Sequence, residues 1–184
     1  KNRVMEYNKH FQNHLIKAIL LLWACAISPL LIAQEDAQST KATPERLFHI
    51  ARSLNRNLVC YDVHLTNGQI DGDEPVNVYW LNREENPGKT NGISFFQKKA
   101  YGYKVVSNGK NSCKITLNAY PEKELTICKK GGKYVCLISI NNKRSTLESL
   151  YVKAHPNNSL KVEYVELFGT TTDTSEKVSE RVRK

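Results

Sequence analysis

The stretch "LFHIARSLNRNLVCYDV" (residues 47–63) holds two side chains that could act together on a substrate. Folded back as a hairpin that pairs Arg52 with Asn57, it sets Ile50 opposite Val59, Phe48 opposite Tyr61 and His49 opposite Cys60. A histidine that takes the proton of a cysteine leaves a thiolate, the nucleophile of covalent catalysis. His49 and Cys60 are therefore the nominees for any catalytic role. The same register puts both on the face away from Ile50 and Val59, so the plainer reading is a surface cysteine beside a surface histidine. His64 shares a strand face with Cys60 but stands about 13 Å away at ~3.3 Å per residue.

Other constellations are thinner. His49, His64 and His155 lack the close spacing of metal ligands. "DGDE" at 71–74 is rich in carboxylates but lacks a fuller calcium loop, which favours a solvated turn before Pro75. No metal or other cofactor is expected. Trp80, Tyr101 and Tyr103 with Arg83, Lys98 and Lys99 could form an aromatic–basic patch for a sugar, a lipid headgroup or nucleic acid. Trp80 alternates with Val76 and Val78, which places it in a core instead. No nucleic-acid motif, G-x-S-x-G, phosphate loop or paired-carboxylate pattern is present.

The elements that must carry these residues read mostly as strands. In "LVCYDVHL", Val59, Tyr61, Val63 and Leu65 alternate with Cys60, Asp62 and His64. "VNVYWL" groups Val76, Val78 and Trp80, and "CKITLNA" groups Cys113, Ile115 and Leu117. Further strands are expected at about 125–130, 133–140, 146–153 and 160–168, separated by "SNGKNS", "KGGK", "NNKR" and "HPNNS". "KGGK" signals a two-residue hairpin turn. Residues 93–101 read as a short helix with Ile93, Phe96 and Ala100 on one face, stopped at Gly102. "TPERLFHIARSLNRN" also fits a helix, with Thr43 as cap and Pro44 at its first position. The agreement of two apolar pairs across the hairpin decides for strand. The fold class is then all-β, a β-sandwich or barrel-like domain with one short helix. The domain is expected to span 47–169, after a polar linker (34–46) and before a polar, frayed or weakly helical tail (170–184).

The compartment is written in "AILLLWACAISPLLIAQ" (residues 18–34). Sixteen mostly apolar residues, broken by Ser28 and Pro29, fall short of the roughly 20 that span a bilayer. A basic front, a short apolar middle and a small exit residue make a secretory signal at residues 1–33, cut between Ala33 and Gln34. An uncleaved anchor and a lipid attached at Cys25 are the alternatives. Trp23 is bulky where a lipidation motif needs a small residue. The formal net charge of +9 is spread among both signs and speaks mainly of solubility.

Four cysteines follow the signal. Strand parity allows only Cys113–Cys136 and Cys60–Cys128 as bridges and forbids Cys128–Cys136, which would point to opposite sides of the "KGGK" hairpin. A domain of about 120 residues can bury enough core without staples, so free thiols are favoured.

"LFHIARSLNRNLVCYDV", "PVNVYWLNREENPG", "KKAYGYKV" and "VEYVELFG" resemble the bacterial domain-of-unknown-function family 4833. The resemblance covers residues 47–169. It implies a secreted protein of the bacterial envelope and no reaction, so no catalytic residue carries over. The expected function is a non-catalytic binding or assembly module in the periplasm, at the outer membrane or outside the cell. Its partner would be an envelope protein, glycan or lipid rather than nucleic acid, and it would meet the membrane only through the signal. A periplasmic enzyme using Cys60 and His49, or a carrier of an apolar ligand, are the alternatives. A filled core, a catalytic cleft or an apolar cavity separates the three.

Overall fold

The computed structural model describes residues 45–183 apart from residue 110, with all side chains but those at 159 and 160. The expected signal segment, Cys25, the expected cleavage point at Ala33 and Gln34, and the expected linker as far as residue 44 lie outside the described residues.

The chain runs β1 (Arg46–Arg52), β2 (Asn55–Val63), β3 (Leu65–Thr66), β4 (Gln69–Ile70), β5 (Val76–Leu81) and β6 (Thr90–Gly92). Helix α1 (Phe95–Tyr101) leads to β7 (Tyr103–Gly109), β8 (Ser112–Leu117), β9 (Tyr120–Lys130), β10 (Lys133–Ile140), β11 (Lys143–His155), β12 (Asn158–Thr171) and β13 (Lys177–Arg183). All but β3 and β4 form one sheet that forks at β11. The start of β11 pairs with β10 (Leu137 with Thr146), and its later part pairs in parallel with β1 (Ile50 with Leu150). Two wings therefore leave β11. One is β1–β2–β5–β6, the other β10–β9–β8–β7. The other edge of β11 carries β12, then β13. The curled result is a half-barrel, as the alternation led us to expect.

Inside the curl lie Phe48, Val59, Tyr61, Ile115, Leu125, Ile127, Ile140, Leu147 and Leu167, all at 1% exposure or less. Phe48 and Tyr61 stack with centroids 4.3 Å apart, which fixes the β1–β2 register. Helix α1 links β6 to β7, the outer strands of the two wings. Its Ser94 cap accepts from the Gln97 amide, and the Gln97 side chain accepts from the Ser94 amide. Three contacts clamp its end: Tyr61 donates to the Tyr101 carbonyl (2.7 Å), Arg52 to the Tyr101 hydroxyl (2.8 Å), and Asn118 to the Lys98 carbonyl (2.8 Å). The Tyr103 hydroxyl donates to the Val76 carbonyl (2.9 Å) and accepts from the Val76 amide (3.2 Å), joining β7 to the opposite wing.

Several expectations need correction. The tail is not frayed or helical. Residues 177–183 form β13, whose Val178 and Val182 pack on the core while Ser179 and Arg181 face out. Short β-branched positions among charges hide such a strand until a partner edge is known. Arg52 pairs with Asn55 rather than Asn57, because the register shifts after Ile50. The helix begins at Phe95, and its apolar stripe does not point inward: Phe96 is 78% exposed and Ala100 exposed, whereas Tyr101 is buried. Leu65 belongs to the β3–β4 ribbon and is partly exposed, not aligned with Val63 in the core.

Candidate functional site

His49 and Cys60 are cross-strand partners, as the hairpin predicts. Their surroundings are not those of a surface pair. Cys60 is fully buried and His49 half-buried. A bulge at Leu47 turns Arg46 onto their face and opposite Asp62. Asp62 is 1% exposed. It takes the Arg46 guanidinium on Oδ1 and the Tyr79 hydroxyl on Oδ2 (2.6 Å), while Arg46 also donates to the Tyr79 oxygen (2.9 Å). Tyr79 in turn is the β5 neighbour of Cys60. Sequence reasoning missed this Arg46–Asp62–Tyr79 network. Plain alternation puts Arg46 on the Phe48 side, and only the bulge reverses it.

The electrostatics hold both nominees neutral. Burial pushes the Cys60 thiol up, and the Asp62 charge adds to it while Arg46 opposes. Burial also lowers the His49 pKa, and the charges of Arg46 and Arg83 lower it further. A basic thiol beside a weakly basic imidazole is the reverse of an activated nucleophile. The carboxylate on this face, Asp62, is already committed to Arg46 and Tyr79.

The aromatic–basic candidates are distributed by packing. Trp80 meets Tyr101 edge-on at 5.4 Å, both on the inner side. Tyr103 spends its hydroxyl on the Val76 backbone. Arg83 is exposed, and its amide donates to the Asn57 side chain (2.8 Å). Lys98 and Lys99 stay in solvent on α1. Trp80 and Tyr101 meet inside, Lys98 and Tyr103 line one groove, and the six do not share a single surface patch. In "DGDE", Asp71 accepts from the Thr66 hydroxyl and from the amides of Asp73 and Glu74, so it caps a turn. Among the described residues no three His, Cys, Asp or Glu side chains converge.

Two of the concavities among the described residues bear on the site. An apolar cavity of about 180 Å³ opens at the helix end of the half-barrel, lined by Ile50, Leu117, Leu150, Val152, Val162 and Val165, with the Arg52–Tyr101 hydrogen bond beside it. A more polar groove of about 440 Å³ lies where β5, α1 and β7 approach, with Asp73, Glu74, Lys98 and Asn118 in its wall. The Asn118 Oδ1 is buried there without a hydrogen-bond partner among the described residues.

A forked, curled sheet with a small apolar cavity is the frame of a β-rich module. Residues 48–181 match the family model for a domain of unknown function, DUF4833, and the chain belongs to that family. The match runs from β1 into β13, so the last strand is part of the domain. No curated protein and no solved structure matches the chain.

Proposed function

We propose that the chain is a non-catalytic binding or assembly module of a bacterial cell envelope, exported and cleaved before Gln34. The basic front and apolar run of residues 1–33 support export. The observation that carries the binding reading is the apolar cavity at the helix end. Its size bears on the occupant. Pockets that enclose a whole small ligand measure roughly 300–1,000 Å³, and this one holds about 180 Å³. It suits one apolar side chain, or the end of an acyl chain, offered by a larger partner. That favours a module over a carrier. The enzyme alternative rests on the His49–Cys60 register and has the neutral, buried thiol against it.

Titration of the chain with octanoate and with octylamine, followed by backbone amide shifts, tests this. Shifts at Leu117, Leu150 and Val165 with octanoate, and weaker ones with octylamine because Arg52 stands beside the cavity, are the expected result. Substitution Leu117→Trp should abolish them. Shifts confined to other surfaces would refute the cavity as the binding site. Intact mass of envelope material starting anywhere but Gln34 would refute the processing.

A further inference from the structure

We infer that the α1 end of the half-barrel docks on an anionic lipid bilayer, inserting Phe95 and Phe96 between headgroups. Neither the cavity nor the export reading is needed for it. Phe95 and Phe96 open α1 and are 76% and 78% exposed, their rings in edge contact at 5.9 Å. The fold does not use them: Tyr101 anchors the helix, and the capping box of Ser94 and Gln97 starts it. Val105 and Val106 follow on β7 at 39% and 53% exposure. They lie on the outer strand of their wing, which is exposed from Lys104 onward. Leu54, 54% exposed, lies in the turn after Arg52, which is bonded to α1 through Tyr101.

Charge selects the occupant. From Asn86 to Pro121 the chain carries six lysines and no aspartate or glutamate. Lys114 pairs with Glu124 on β9. Lys89, Lys98, Lys99 and Lys104 are exposed and in no ion pair among the described residues. Asp73 and Glu74 face Lys98 across the polar groove, and Glu84 and Glu85 precede Lys89 in the β5–β6 loop. Exposed aromatic rings set among unpaired lysines match an interface whose headgroups are negative and whose next layer is hydrocarbon. A protein groove for two phenylalanines would not by itself call for a run of 36 residues without an acid.

The test is hydrogen exchange of the full chain, read at residues 93–106, with phosphatidylcholine vesicles lacking or containing phosphatidylglycerol. Local exchange separates this contact from any made by the apolar run at 18–33. Protection is expected only with phosphatidylglycerol. The lipid concentration for half-protection should rise at least about tenfold in the Phe95→Ser/Phe96→Ser chain, and about fivefold for each lysine removed in Lys98→Ser and Lys99→Ser. Circular dichroism melts of these variants should match the parent, since all four side chains are exposed. Equal protection on neutral vesicles, no protection on either, or protection that grows with protein concentration without lipid would overturn the inference. The last would mark the surface as a contact between copies.

Discussion

Replacing Lys123 with methionine tests what closes the half-barrel. Lys123 on β9 reaches across to β13, where its ammonium donates to both Glu180 oxygens at 2.7 Å and to the Ser139 carbonyl at 3.0 Å. Glu180 also accepts from the Asn141 amide (2.7 Å), and the Asn141 side chain donates to the Ser179 carbonyl on β13 (2.6 Å). The paired side chains are only 21% and 22% exposed. An exposed ion pair is worth about 0–1 kcal/mol, and a hydrogen bond to a charged group about 1.5–3 kcal/mol. A pair four-fifths buried with this many donors belongs in the upper class, so Lys123→Met should cost about 2 kcal/mol. The Lys123→Met/Glu180→Leu chain should cost less than the two single changes together, because no charge is then left unpaired. Urea unfolding with unchanged m values gives the cycle. A Lys123→Met loss under about 0.5 kcal/mol, or strict additivity, would refute the clasp. The pH dependence has a fixed sign. Burial opposes ionisation of Glu180, but Lys123 and the Asn141 amide outweigh it and hold its pKa below the ordinary value. The clasp is therefore fully present above the unfolded carboxyl value of about 4.3. It is lost as pH falls through the lower folded value, and the gap between the parent and Glu180→Gln should close there.

Among the four cysteines of the described residues, Cys60, Cys113 and Cys136 are buried and Cys128 half-buried. Peptide mapping after thiol labelling should find Cys128 modified first in the native chain and all four modified in denaturant without reduction. A Cys113–Cys136 bridge would refute the sheet order. Asp71 is held down to about 2 by the Thr66 hydroxyl and the Glu74 and Asp73 amides, so its turn should stay formed above the unfolded value of about 3.9 and open as pH falls towards 2. The amide shifts of Asp73 and Glu74 report this, and a titration midpoint at the unfolded value would refute it. Gly169→Ala should cost about 1–3 kcal/mol by overpacking, since an added Cβ would collide with the Thr146 carbonyl oxygen and lie 2.9 Å from the Ile140 Cδ1; a neutral result in thermal melts would show that β11 and β12 can part.

What was legible in the sequence follows from what each signal depends on. Period-two alternation is local, so β2, β5, β8 and β10 could be read directly, and Phe48–Tyr61 and Ile50–Val59 gave the hairpin partner. The "KGGK" turn sets Lys130 against Lys133, with Gly131 and Gly132 at φ of 58° and 85°, the left-handed pair that a two-residue hairpin turn requires. That register pairs Cys128 with Val135 and Cys136 with Ile127, which is why these two thiols cannot meet. Parity alone still allowed Cys113–Cys136. In the structure Ile127 of β9 stands between them, two strand spacings of ~4.8 Å each, beyond the reach of a disulfide. Cys60–Cys128 fails likewise, because the two belong to different wings. Order across a sheet is not encoded in any one strand, so neither separation was visible. The helix at α1 was legible as a helix from its Gly102 stop. Its S-x-x-Q capping box would have placed the start, and only the tertiary clamp on Tyr101 shows that Phe96 faces water.

The same dependence explains why register alone did not reveal the surroundings of the chemistry-bearing pair. His49 and Cys60 were nominated from register, and the register is real. Catalysis also needs access, a thiolate and a free orienting group, none of which register supplies. The bulge at Leu47 bears on access and on the orienting group, while burial itself disfavours the thiolate. By bringing Arg46 over Asp62 it commits the carboxylate, closes the face over Cys60 with the Arg46–Tyr79 contact, and adds a positive charge near His49 that discourages its protonation. A buried ion pair of this kind adds little net stability over a well-packed apolar substitute. It does discriminate between registers, because a slip of β1 by one residue would leave Asp62 buried without its cation. The cluster is thus best understood as a device that pins the first hairpin against β5.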